Sequence, residues 1–443
     1  MLVTADTADV LRKKIADRTA RVAVIGLGRV GLPFALENAR AGFSVLGIDR
    51  DVIRVAQLNQ GSNYLRHVSD SGIVEMVASG RLTATSEEEA LRDADVIVIC
   101  VPTPLGTHRD PDFTNVIAVA TTIRRYLRPG QLICLENGTY PGITFDVLKP
   151  TLEADGAVAG QDFWLAISPE RLDPGNPSFD TRTTQRLVSG VTADCLAMAV
   201  SFYQQTIASV VPVRDPRVAE MAKVFENTFR AVNIALVNEM AIVCDRMQIN
   251  VWDLLEAAQT KPFGIMPFEP GPGVGGIGVP HDPYYLAWQA RQHNSRAHFL
   301  ELAGEINQSM PEVVRERTIR ALNRRNLPLA GSSILMIGLA YKRDVSDHQC
   351  SPALQIASLL RAEGAHVTYH DDHVPSYRDQ AGMLHSSVPL TTGRLAASDC
   401  VLIVTDHSYL DWDFIVAHSQ LIVDTRNATR SVLPANKGNV CLL

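Results

Sequence analysis

A glycine-rich segment near the start of the chain has the composition of a phosphate-binding turn. Gly26, Gly28 and Gly31 follow the G-x-G-x-x-G spacing, after an apolar run and before a helix-forming run. In such a turn the first glycine permits a sharp bend, and the second lets the backbone approach a pyrophosphate. The third brings the helix close to the strand, and the positive helix end faces the phosphates. Asp49 ends the next apolar run, 21 residues after Gly28. A carboxylate there can accept hydrogen bonds from ribose hydroxyls, so the pattern predicts a dinucleotide site.

The charge at Asp49 also indicates which dinucleotide would bind. A carboxylate repels the 2′-phosphate of NADP, so Asp49 favours NAD. Arg50, the next residue, weakens this inference because an arginine can pair with a phosphate. The segment Val101-Pro102-Thr103 ends a later apolar run. Ligands of open α/β sheets bind at such carboxyl ends of strands, so this segment is a second candidate for contact with the cofactor.

A second turn with two cations lies in the last third of the chain. It is the segment Gly338-Leu339-Ala340-Tyr341-Lys342-Arg343-Asp344, which follows an apolar run. A strand that runs into a cationic turn can hold a second phosphorylated ligand. The same residues could equally form a solvated basic turn, and the sequence leaves both interpretations open.

The elements that must position these turns alternate between short apolar runs and helical stretches. This alternation predicts a doubly wound parallel sheet. The predicted strands of the first sheet are 21–25, 44–49, 96–101, 131–135, 164–167 and 210–213. Those of a second, smaller sheet are 333–338, 366–370, 400–404 and 421–423, with a helix at 352–363.

Between the two sheets the pattern is helical. Residues 216–259 have apolar side chains every three or four positions and predict one long helix. A glycine- and proline-rich loop follows at 262–283, and helices resume at 283–292 and 297–325. The fold class is therefore predicted as α/β, with two Rossmann-like doubly wound domains joined by a long-helix central domain. The predicted boundaries are 1–213 for dinucleotide binding, 214–326 for the central domain and 327–443 for a second nucleotide.

Composition excludes several classes of protein. The 443 residues are 46% hydrophobic and 20% charged, with a formal net charge of −7, as in a globular protein of two or three domains. That charge predicts no binding to nucleic acid or to an anionic membrane. The seven cysteines are scattered and include no C-x-x-C pair, which predicts reduced thiols and no metal site. Together with the lack of a signal pattern at the N-terminus, they predict a cytoplasmic location.

Several motifs together resemble the UDP-glucose/GDP-mannose dehydrogenase family of nucleotide-sugar 6-dehydrogenases. They occur in family order over nearly the whole chain: GLGRVGLP, CVPTPL, SPER, AKVFENTF, GPGVGG, GLAYKRD, SPAL and DTRN. The variants SPERLDPGN and NTFRAVNIALVNEM are most similar to the branch that oxidises UDP-N-acetylhexosamines. The resemblance implies a UDP-sugar substrate, NAD as cofactor and a role in polysaccharide or natural-product sugar biosynthesis. Family members oxidise the C6 alcohol to a carboxylate with two NAD, holding the aldehyde on a cysteine as a thiohemiacetal and then as a thioester.

The resemblance also assigns roles to individual residues. Lys223 matches the catalytic lysine, which can stabilise an alkoxide, and Asn227 lies one helical turn further on the same face. Asp282 matches an aspartate that orients the lysine or a water, and Glu170 a glutamate that handles water or protons. The implied cofactor contacts are Gly26, Gly28, Arg29, Val30, Gly31, Asp49, Arg50, Val101, Pro102, Thr103 and Gly138. The implied substrate contacts are Arg171, Arg230, Asn233, Gly273, Gly276, Tyr341, Lys342 and Arg426.

Three positions depart from the family pattern. Gly278 stands where the family has its nucleophilic cysteine, so no thiohemiacetal can form there. Asn137-Gly138 replaces Ser-Thr, and Gln349-Cys350 replaces Arg-Glu. Gly278 and Gly138 are expected to vacate side-chain volume that could admit a different sugar, a water or a bulkier group. Cys350 could be a displaced nucleophile, although the predicted domain boundaries place it in the other α/β domain, which disfavours that interpretation.

The predicted activity is one hydride transfer between an alcohol and a carbonyl of a nucleotide sugar. Three alternatives stay open. They are full four-electron oxidation through an aldehyde hydrate, a redox-neutral isomerisation with bound NAD, and a non-catalytic homologue. The long apolar stripe of 216–259 favours a homodimer through the central helices, although the stripe could also pack within its own chain.

Overall fold

A computed structural model describes residues 5–65, 70–106, 110–136, 140–173, 175–176 and 178–443. The chain forms two compact units. The first comprises the chain up to Glu226 together with Trp288–Ser295, and the second comprises Asn227–Ala287 and Arg296–Leu443. The predicted fold class is confirmed, with Rossmann-like parallel sheets and a helical central domain.

The first unit is built on an eight-stranded sheet in the order β3-β2-β1-β4-β5-β6-β7-β8. Its strands pair in parallel, except for β7, which runs antiparallel to β6. The strands are β1 Arg21–Ile25, β2 Ser44–Ile48, β3 Leu82–Thr85, β4 Val96–Ile99, β5 Leu132–Leu135, β6 Trp164–Ile167, β7 Arg186–Gly190 and β8 Val210–Pro212. The sequence did not predict β3 or β7.

In the described ranges, seven α-helices lie wholly within this unit, and an eighth, α8, begins in it and ends in the second unit. They are α1 Ala5–Ala16, α2 Gly31–Ala41, α3 Val52–Asn59, α4 Asp70–Ala78, α5 Thr114–Tyr126, α6 Lys149–Glu153, α7 Ala193–Tyr203 and α8 Pro216–Met247. The fully buried strand β4 and the buried face of α2 lie in the core of this unit. Trp288 joins the same unit through its ring, which lies 5.2 Å from that of Tyr140 and 6.2 Å from that of Phe113, measured between centroids.

The second unit contains a five-stranded parallel sheet in the order β10-β9-β13-β14-β15 and a two-stranded hairpin, β11-β12. The strands are β9 Ser333–Ile337, β10 His366–His370, β11 Ser376–Arg378, β12 Leu384–Ser386, β13 Cys400–Ile403, β14 Ile422–Asp424 and β15 Val440–Leu442. The remaining helices are α9 Val251–Gln259, α10 Gly278–Gln292, α11 His298–Asn323, α12 Pro352–Ala362, α13 Thr392–Ala397 and α14 Trp412–His418.

The helical prediction needs two corrections. Residues 216–259 form two helices, because Gln248 adopts a left-handed φ of 58° and Asn250 caps α9 by accepting a hydrogen bond from the Trp252 N–H. Helix α10 begins at Gly278 and not at Pro283. Five cysteines are buried, Cys441 is partly buried and Cys350 is exposed, and none of the seven forms a disulfide. In the described part of the chain, no helix has the length and apolar character to span a bilayer.

Candidate active site

The three fingerprint glycines occupy the turn between β1 and α2, and each has a different environment. A Cβ atom on Gly26 would lie 2.6 Å from the carbonyl oxygen of Cys100, and Gly26 has a left-handed φ of 91°. A Cβ on Gly31 would lie 1.8 Å from the carbonyl oxygen of Gly26. A Cβ on Gly28 would meet nothing within 4 Å. The protein's own packing therefore requires glycine at positions 26 and 31, whereas Gly28 leaves open space beside the turn.

Asp49 holds this turn from the end of β2. Its Oδ2 accepts a hydrogen bond from the Leu27 N–H at 2.8 Å, and its Oδ1 accepts one from the Asp51 N–H at 2.9 Å. Arg54 lies beside the same carboxylate, with Nη1 3.6 Å from Oδ2, while the neighbouring Arg50 is exposed. The sequence analysis singled out Arg50 but missed Arg54, which lies in the first turn of α3 and whose side chain points back to Asp49.

Tyr64 is a further side chain at this turn that the sequence did not indicate. Its hydroxyl donates to the carbonyl oxygen of Leu27 at 2.8 Å, and the Arg54 guanidinium lies 6.0 Å from its ring centroid. Burial and the nearby Asp49 carboxylate raise the pKa of Tyr64 above its ordinary range. Tyr64 therefore stays protonated and keeps donating at neutral pH.

The other predicted cofactor residues lie at the same carboxyl edge of the sheet. Arg29 and Val30 are half-buried in the turn that opens α2. Val101, Pro102 and Thr103 follow β4, and the Pro102 carbonyl accepts a hydrogen bond from the Asn115 side chain at 3.0 Å. Gly138 lies outside the described residues.

Glu170 belongs to a buried charged cluster at the ends of β5 and β6. The guanidinium of Arg186 donates through Nη1 to Oε2 of Glu136 at 3.1 Å and lies 3.8 Å from Oε1 of Glu170 through Nη2. Arg186 and Glu136 have side-chain exposures of 1% and 0%, against 13% for Glu170. Only Glu170 therefore reaches solvent, and the buried Arg186–Glu136 pair lies behind it. Neither Arg186 nor Glu136 was predicted.

Arg171, a predicted substrate residue, is engaged with the protein. Its Nη2 lies 2.6 Å and its Nε 3.1 Å from the two carboxylate oxygens of Glu226, and its Nη1 donates to the Gln185 carbonyl at 3.1 Å. A bidentate pair of this kind fixes the geometry of both side chains. The contact therefore ties the S-P-E-R segment to α8.

Lys223 lies on α8 and is half-buried. In the described ranges it has no hydrogen-bond or ion-pair partner. Three residues earlier, the buried Glu220 accepts hydrogen bonds from the N–H groups of Gly142 and Thr144 at 2.5 and 3.1 Å and from the Thr144 hydroxyl at 2.6 Å. These hydrogen bonds lower the pKa of Glu220, but burial has the larger effect and raises it to about 7. Glu220 thus anchors the turn at 140–144 to the helix that carries Lys223.

Asn227, Asp282 and Gly278 come together in the second unit. Nδ2 of Asn227 donates to Oδ2 of Asp282 at 2.6 Å, and both residues are buried. A Cβ on Gly278 would lie 2.4 Å from this Nδ2 and 3.8 Å from this Oδ2. The expectation that Gly278 vacates volume for a ligand or a water is therefore wrong, since the Asn227 amide fills that space.

The glycine- and proline-rich loop brings several predicted substrate residues together. Gly273 and Gly276 have left-handed φ values of 126° and 80°, and a Cβ on Gly276 would lie 3.1 Å from the Tyr341 ring. A Cβ on Gly271 would lie 2.6 Å from Nη1 of Arg426. The loop therefore needs glycine in order to lie against Tyr341 and Arg426.

Three further predicted substrate residues lie outside this loop. Lys342 is half-buried in the turn after β9. On α8, Arg230 is exposed, and the amide of Asn233 donates to the Phe229 carbonyl at 2.7 Å.

The turn after β9 has its own acid, Asp371, at the end of β10. Its Oδ2 accepts from the N–H groups of Leu339 and Ala340 at 2.7 and 2.9 Å and lies 3.1 Å from Nε2 of His407. Its Oδ1 accepts two more backbone N–H groups, from residues 373 and 374. Burial opposes ionisation, but the hydrogen bonds from His407 and the backbone hold the pKa of Asp371 at about 2. Asp371 occupies the position in the second sheet that Asp49 has in the first. Its carboxylate accepts hydrogen bonds from four backbone N–H groups, whereas that of Asp49 accepts two.

Three protein-family models match the chain in consecutive segments. They are the NAD binding domain, the central domain and the UDP binding domain of the UDP-glucose/GDP-mannose dehydrogenase family, at residues 20–207, 217–309 and 335–431. The chain belongs to this family. The family assignment and the fingerprint agree on NAD as the cofactor, since Gly28 leaves room for a pyrophosphate and Asp49 lies beside the turn.

Individual relatives of the UDP-glucose/GDP-mannose dehydrogenase family match over most of their length. Protein CapL of Staphylococcus aureus is 32% identical over 87% of this chain and 89% of its own. The UDP-N-acetyl-D-mannosamine dehydrogenase of Pyrococcus horikoshii is 30% identical over 92% and 95%. The P. horikoshii UDP-D-ManNAc dehydrogenase structure superposes with a TM-score of 0.83 at 30% identity, covering 92% of this chain and 96% of that one. The S. aureus UDP-N-acetyl-mannosamine dehydrogenase Cap5O gives 0.82 at 31%, covering 96% and 97%.

Proposed function

We propose that this protein uses NAD to oxidise the C6 alcohol of a UDP-sugar, and that it stops at the carbonyl after one hydride transfer. The UDP binding domain of the family supports the nucleotide. The names of relatives support an N-acetylhexosamine as the sugar. They include UDP-N-acetyl-D-mannosamine dehydrogenases and the UDP-N-acetyl-D-glucosamine 6-dehydrogenase of Pseudomonas aeruginosa, which is 32% identical to this chain.

The single observation that carries the proposal is the environment of position 278. There is no side chain at Gly278, and the Asn227 amide, held by Asp282, occupies the place of a Cβ. Covalent catalysis at this position would need a nucleophile that the residue does not carry. With no thiol there to hold the aldehyde for a second hydride transfer, the carbonyl compound is the expected product.

Four residues are proposed to act on the alcohol. Lys223 donates a hydrogen bond to the alcohol oxygen and stabilises the charge that develops there as the proton leaves. Asn227 and Asp282 act as a hydrogen-bonded pair whose amide has a fixed orientation. Glu170, the partly exposed member of the cluster with Arg186 and Glu136, accepts the proton through water. NAD, which the turn at residues 26–31 and Asp49 would hold, would supply the hydride acceptor.

The test counts electrons. Purified protein is supplied with NAD and either UDP-N-acetylglucosamine or UDP-N-acetylmannosamine, with a hydrazine trap for aldehydes. We expect one NADH per sugar consumed and a trapped aldehyde. Two NADH per sugar and a uronate would refute the single oxidation. An isomeric sugar with no NADH would indicate the redox-neutral alternative, and nucleotide-sugar binding with no turnover a non-catalytic protein. Lys223→Gln is the control and should abolish NADH formation while retaining NAD binding.

We also propose that two copies of the chain associate through α8. This helix has 32 residues, a length of about 48 Å at 1.5 Å per residue. In its second-unit part, Phe229, Leu236, Val243 and Met247 are 40–62% exposed at intervals of seven, seven and four residues. A second copy would supply an apolar face of the same length, as in the self-complementary interfaces of two-fold dimers. Sedimentation should give a dimer for the wild type and a monomer for Leu236→Glu. A wild-type monomer at micromolar concentration would refute the proposal.

Two further sequence-based statements stay predictions. They are the domain boundaries at 213 and 326, and the cytoplasmic location.

A further inference from the structure

Three loops at the carboxyl edge of the second sheet bring side chains that can bind a metal to one place. Asp344 lies in the turn after β9, His373 follows β10 and His407 follows β13. Oδ1 of Asp344 lies 3.9 Å from Nε2 of His373 and 3.7 Å from Nδ1 of His407. One donor atom of each residue lies within 4.8 Å of those of the other two, and all three residues belong to the second unit. The group is therefore a candidate for binding one shared cation.

The separations of the donor atoms are close to those that zinc imposes. Zn²⁺ binds imidazole nitrogen and carboxylate oxygen at about 2.0–2.2 Å, so two donors at a tetrahedral angle lie about 3.4 Å apart. The two separations from Oδ1 of Asp344 exceed this value by about 0.3 and 0.5 Å. Asp344 and His373 are partly exposed, so rotation of their side chains can remove the excess. The same exposure lets a cation reach the group from solvent.

His407 is held in the orientation that a metal ligand needs. Its ring is buried, and its Nε2 lies 3.1 Å from Oδ2 of Asp371, a carboxylate that four backbone N–H groups hold in place. The ring therefore carries its proton on Nε2 and directs the lone pair of Nδ1 towards Asp344. Histidines that bind metals usually donate their other N–H to a carboxylate or a carbonyl in the same way.

A cation at His407 has one competitor in the protein. The Asp344 N–H donates to Nδ1 of His407 at 3.0 Å, and an imidazole nitrogen has a single lone pair, so metal binding must displace this N–H. The Asp344 carboxylate also accepts a hydrogen bond from the Ser408 N–H at 2.8 Å. It can keep that bond, because each carboxylate oxygen has two lone pairs. The exchange therefore gives up one neutral hydrogen bond in return for bonds to a dication.

The charge of these three loops also favours a cation. Residues 338–344, 371–374 and 404–409 contain four aspartates and two basic residues, which gives a formal charge of −2 with neutral histidines. One of the two basic residues, Arg343, pairs with Asp406. A dication bound at Asp344 would balance the remaining negative charge.

We propose that Asp344, His373 and His407 form a zinc site, with two imidazole nitrogens, one carboxylate oxygen and a water molecule as ligands. Imidazole ligands suit Zn²⁺, whereas Mg²⁺ and Ca²⁺ prefer oxygen ligands. The ion links the loops that follow β9, β10 and β13, so its role is to brace this edge of the second sheet. The sequence analysis predicted no metal site from the cysteine pattern, and this site contains no cysteine.

The first experiment titrates zinc chloride into the chelator-treated full chain by calorimetry, with no NAD or sugar present. We expect one Zn²⁺ to bind per polypeptide. His373→Ala removes a partly exposed ligand and should weaken binding about tenfold or more. His366→Ala is the matched control, because His366 is an exposed histidine at the start of β10, and it should bind zinc like the wild type.

Several results of this titration would overturn the site. They are no zinc binding by the wild type at micromolar concentration, equal affinity of the wild type and His373→Ala, and binding of Mg²⁺ as tight as that of Zn²⁺. Loss of zinc binding in Cys350→Ser would also overturn it, because zinc would then be held by this exposed thiol.

The second experiment uses the wild-type protein, so it does not depend on how a variant folds. Diethyl pyrocarbonate acylates imidazole nitrogens, and mass spectrometry follows the modification of His373 and His366. We expect zinc to slow modification of His373 at least about threefold, to leave His366 unchanged, and to lose its effect when EDTA is added. Equal protection of both histidines, or protection of neither, would overturn the proposal. Neither experiment involves hydride transfer, so their outcome is independent of the proposed function, which the count of NADH decides.

Discussion

Restoring a side chain at position 278 should destabilise the protein, because the structure gives a Cβ there no room. A Cβ would lie 2.4 Å from Nδ2 of Asn227, well inside contact distance, and that Nδ2 donates to Asp282 at 2.6 Å. Gly278→Ala and Gly278→Cys must therefore displace a buried amide. The variants leave the Asp282 carboxylate without this donor.

The size of the effect follows from three contributions. Losing a buried hydrogen bond to a carboxylate costs about 1–3 kcal/mol, and overpacking adds about 1–3 kcal/mol. Replacing glycine within a helix returns about 0.5–1 kcal/mol. We expect Gly278→Ala to lower the free energy of unfolding by about 1–5.5 kcal/mol. Gly393→Ala is the matched control, since Gly393 is exposed in α13 and its Cβ would meet nothing within 4 Å, so this variant should be neutral or slightly stabilising.

Urea unfolding of a double-mutant cycle tests the reasoning. In an Asn227→Ala background the amide is gone, and Gly278→Ala should become as harmless as Gly393→Ala. The cycle should therefore give a coupling energy between positions 227 and 278 as large as the effect of Gly278→Ala in the wild type, about 1–5.5 kcal/mol. Additive effects, or equal stability of Gly278→Ala and Gly393→Ala in the wild-type background, would refute the steric argument. Gly278→Cys should behave as Gly278→Ala does, because the clash arises at Cβ and not at the sulfur.

Three further predictions follow from the structure. Gly28→Ala should fold with wild-type stability but bind NAD at least tenfold more weakly by calorimetry, whereas Gly26→Ala should unfold at lower urea, because only Gly28 has open space beside it. Glu220 binds its proton more tightly in the folded state than in the unfolded state. Its contribution to the free energy of unfolding should therefore fall by about 3 kcal/mol as pH rises from about 4.5 to about 7. Glu220→Gln should make the free energy of unfolding less dependent on pH in that range. Asp371→Asn should destabilise the protein by about 2 kcal/mol or more at neutral pH, measured by urea unfolding, because the Leu339 and Ala340 N–H groups would lose a charged acceptor.

Sequence alone indicated those parts of the site that are encoded locally. The fingerprint glycines and Asp49 lie within about one βαβ unit, where strand, turn and helix signals follow one another. Contacts between distant residues gave no such signal. Glu220 binds the N–H of Gly142 from 78 residues away, and Asn227 meets Asp282 across 55 residues. The volume beside Gly278 was misjudged for this reason, since no local pattern reveals which distant side chain fills a space.

Helix ends show the same division between local and distant causes. Pro283 suggested a helix start, because proline inside a helix removes a backbone hydrogen bond, but α10 begins five residues earlier, at Gly278, and contains Pro283. The break after Met247 depends on a left-handed Gln248, a conformation that glutamine adopts rarely and that the apolar periodicity does not register. Strands β3 and β7 escaped prediction because their sequences, LTAT and RLVSG, contain polar residues, whereas the equally short β4 is apolar throughout.

The contrast between Asp49 and Asp371 has a consequence for how the two halves of this enzyme divide their work. Each acid follows the second strand of its sheet and braces the loop after the first. The carboxylate of Asp371 accepts hydrogen bonds from four backbone N–H groups and lies beside the His407 imidazole. Its role is therefore structural, and it cannot accept further hydrogen bonds from a ribose diol. An adenosine analogue that relies on hydrogen bonds from its ribose hydroxyls to a carboxylate should therefore bind at one site per polypeptide, beside Asp49. A compound that competes with the cofactor at Asp49 should leave binding of the UDP group unchanged.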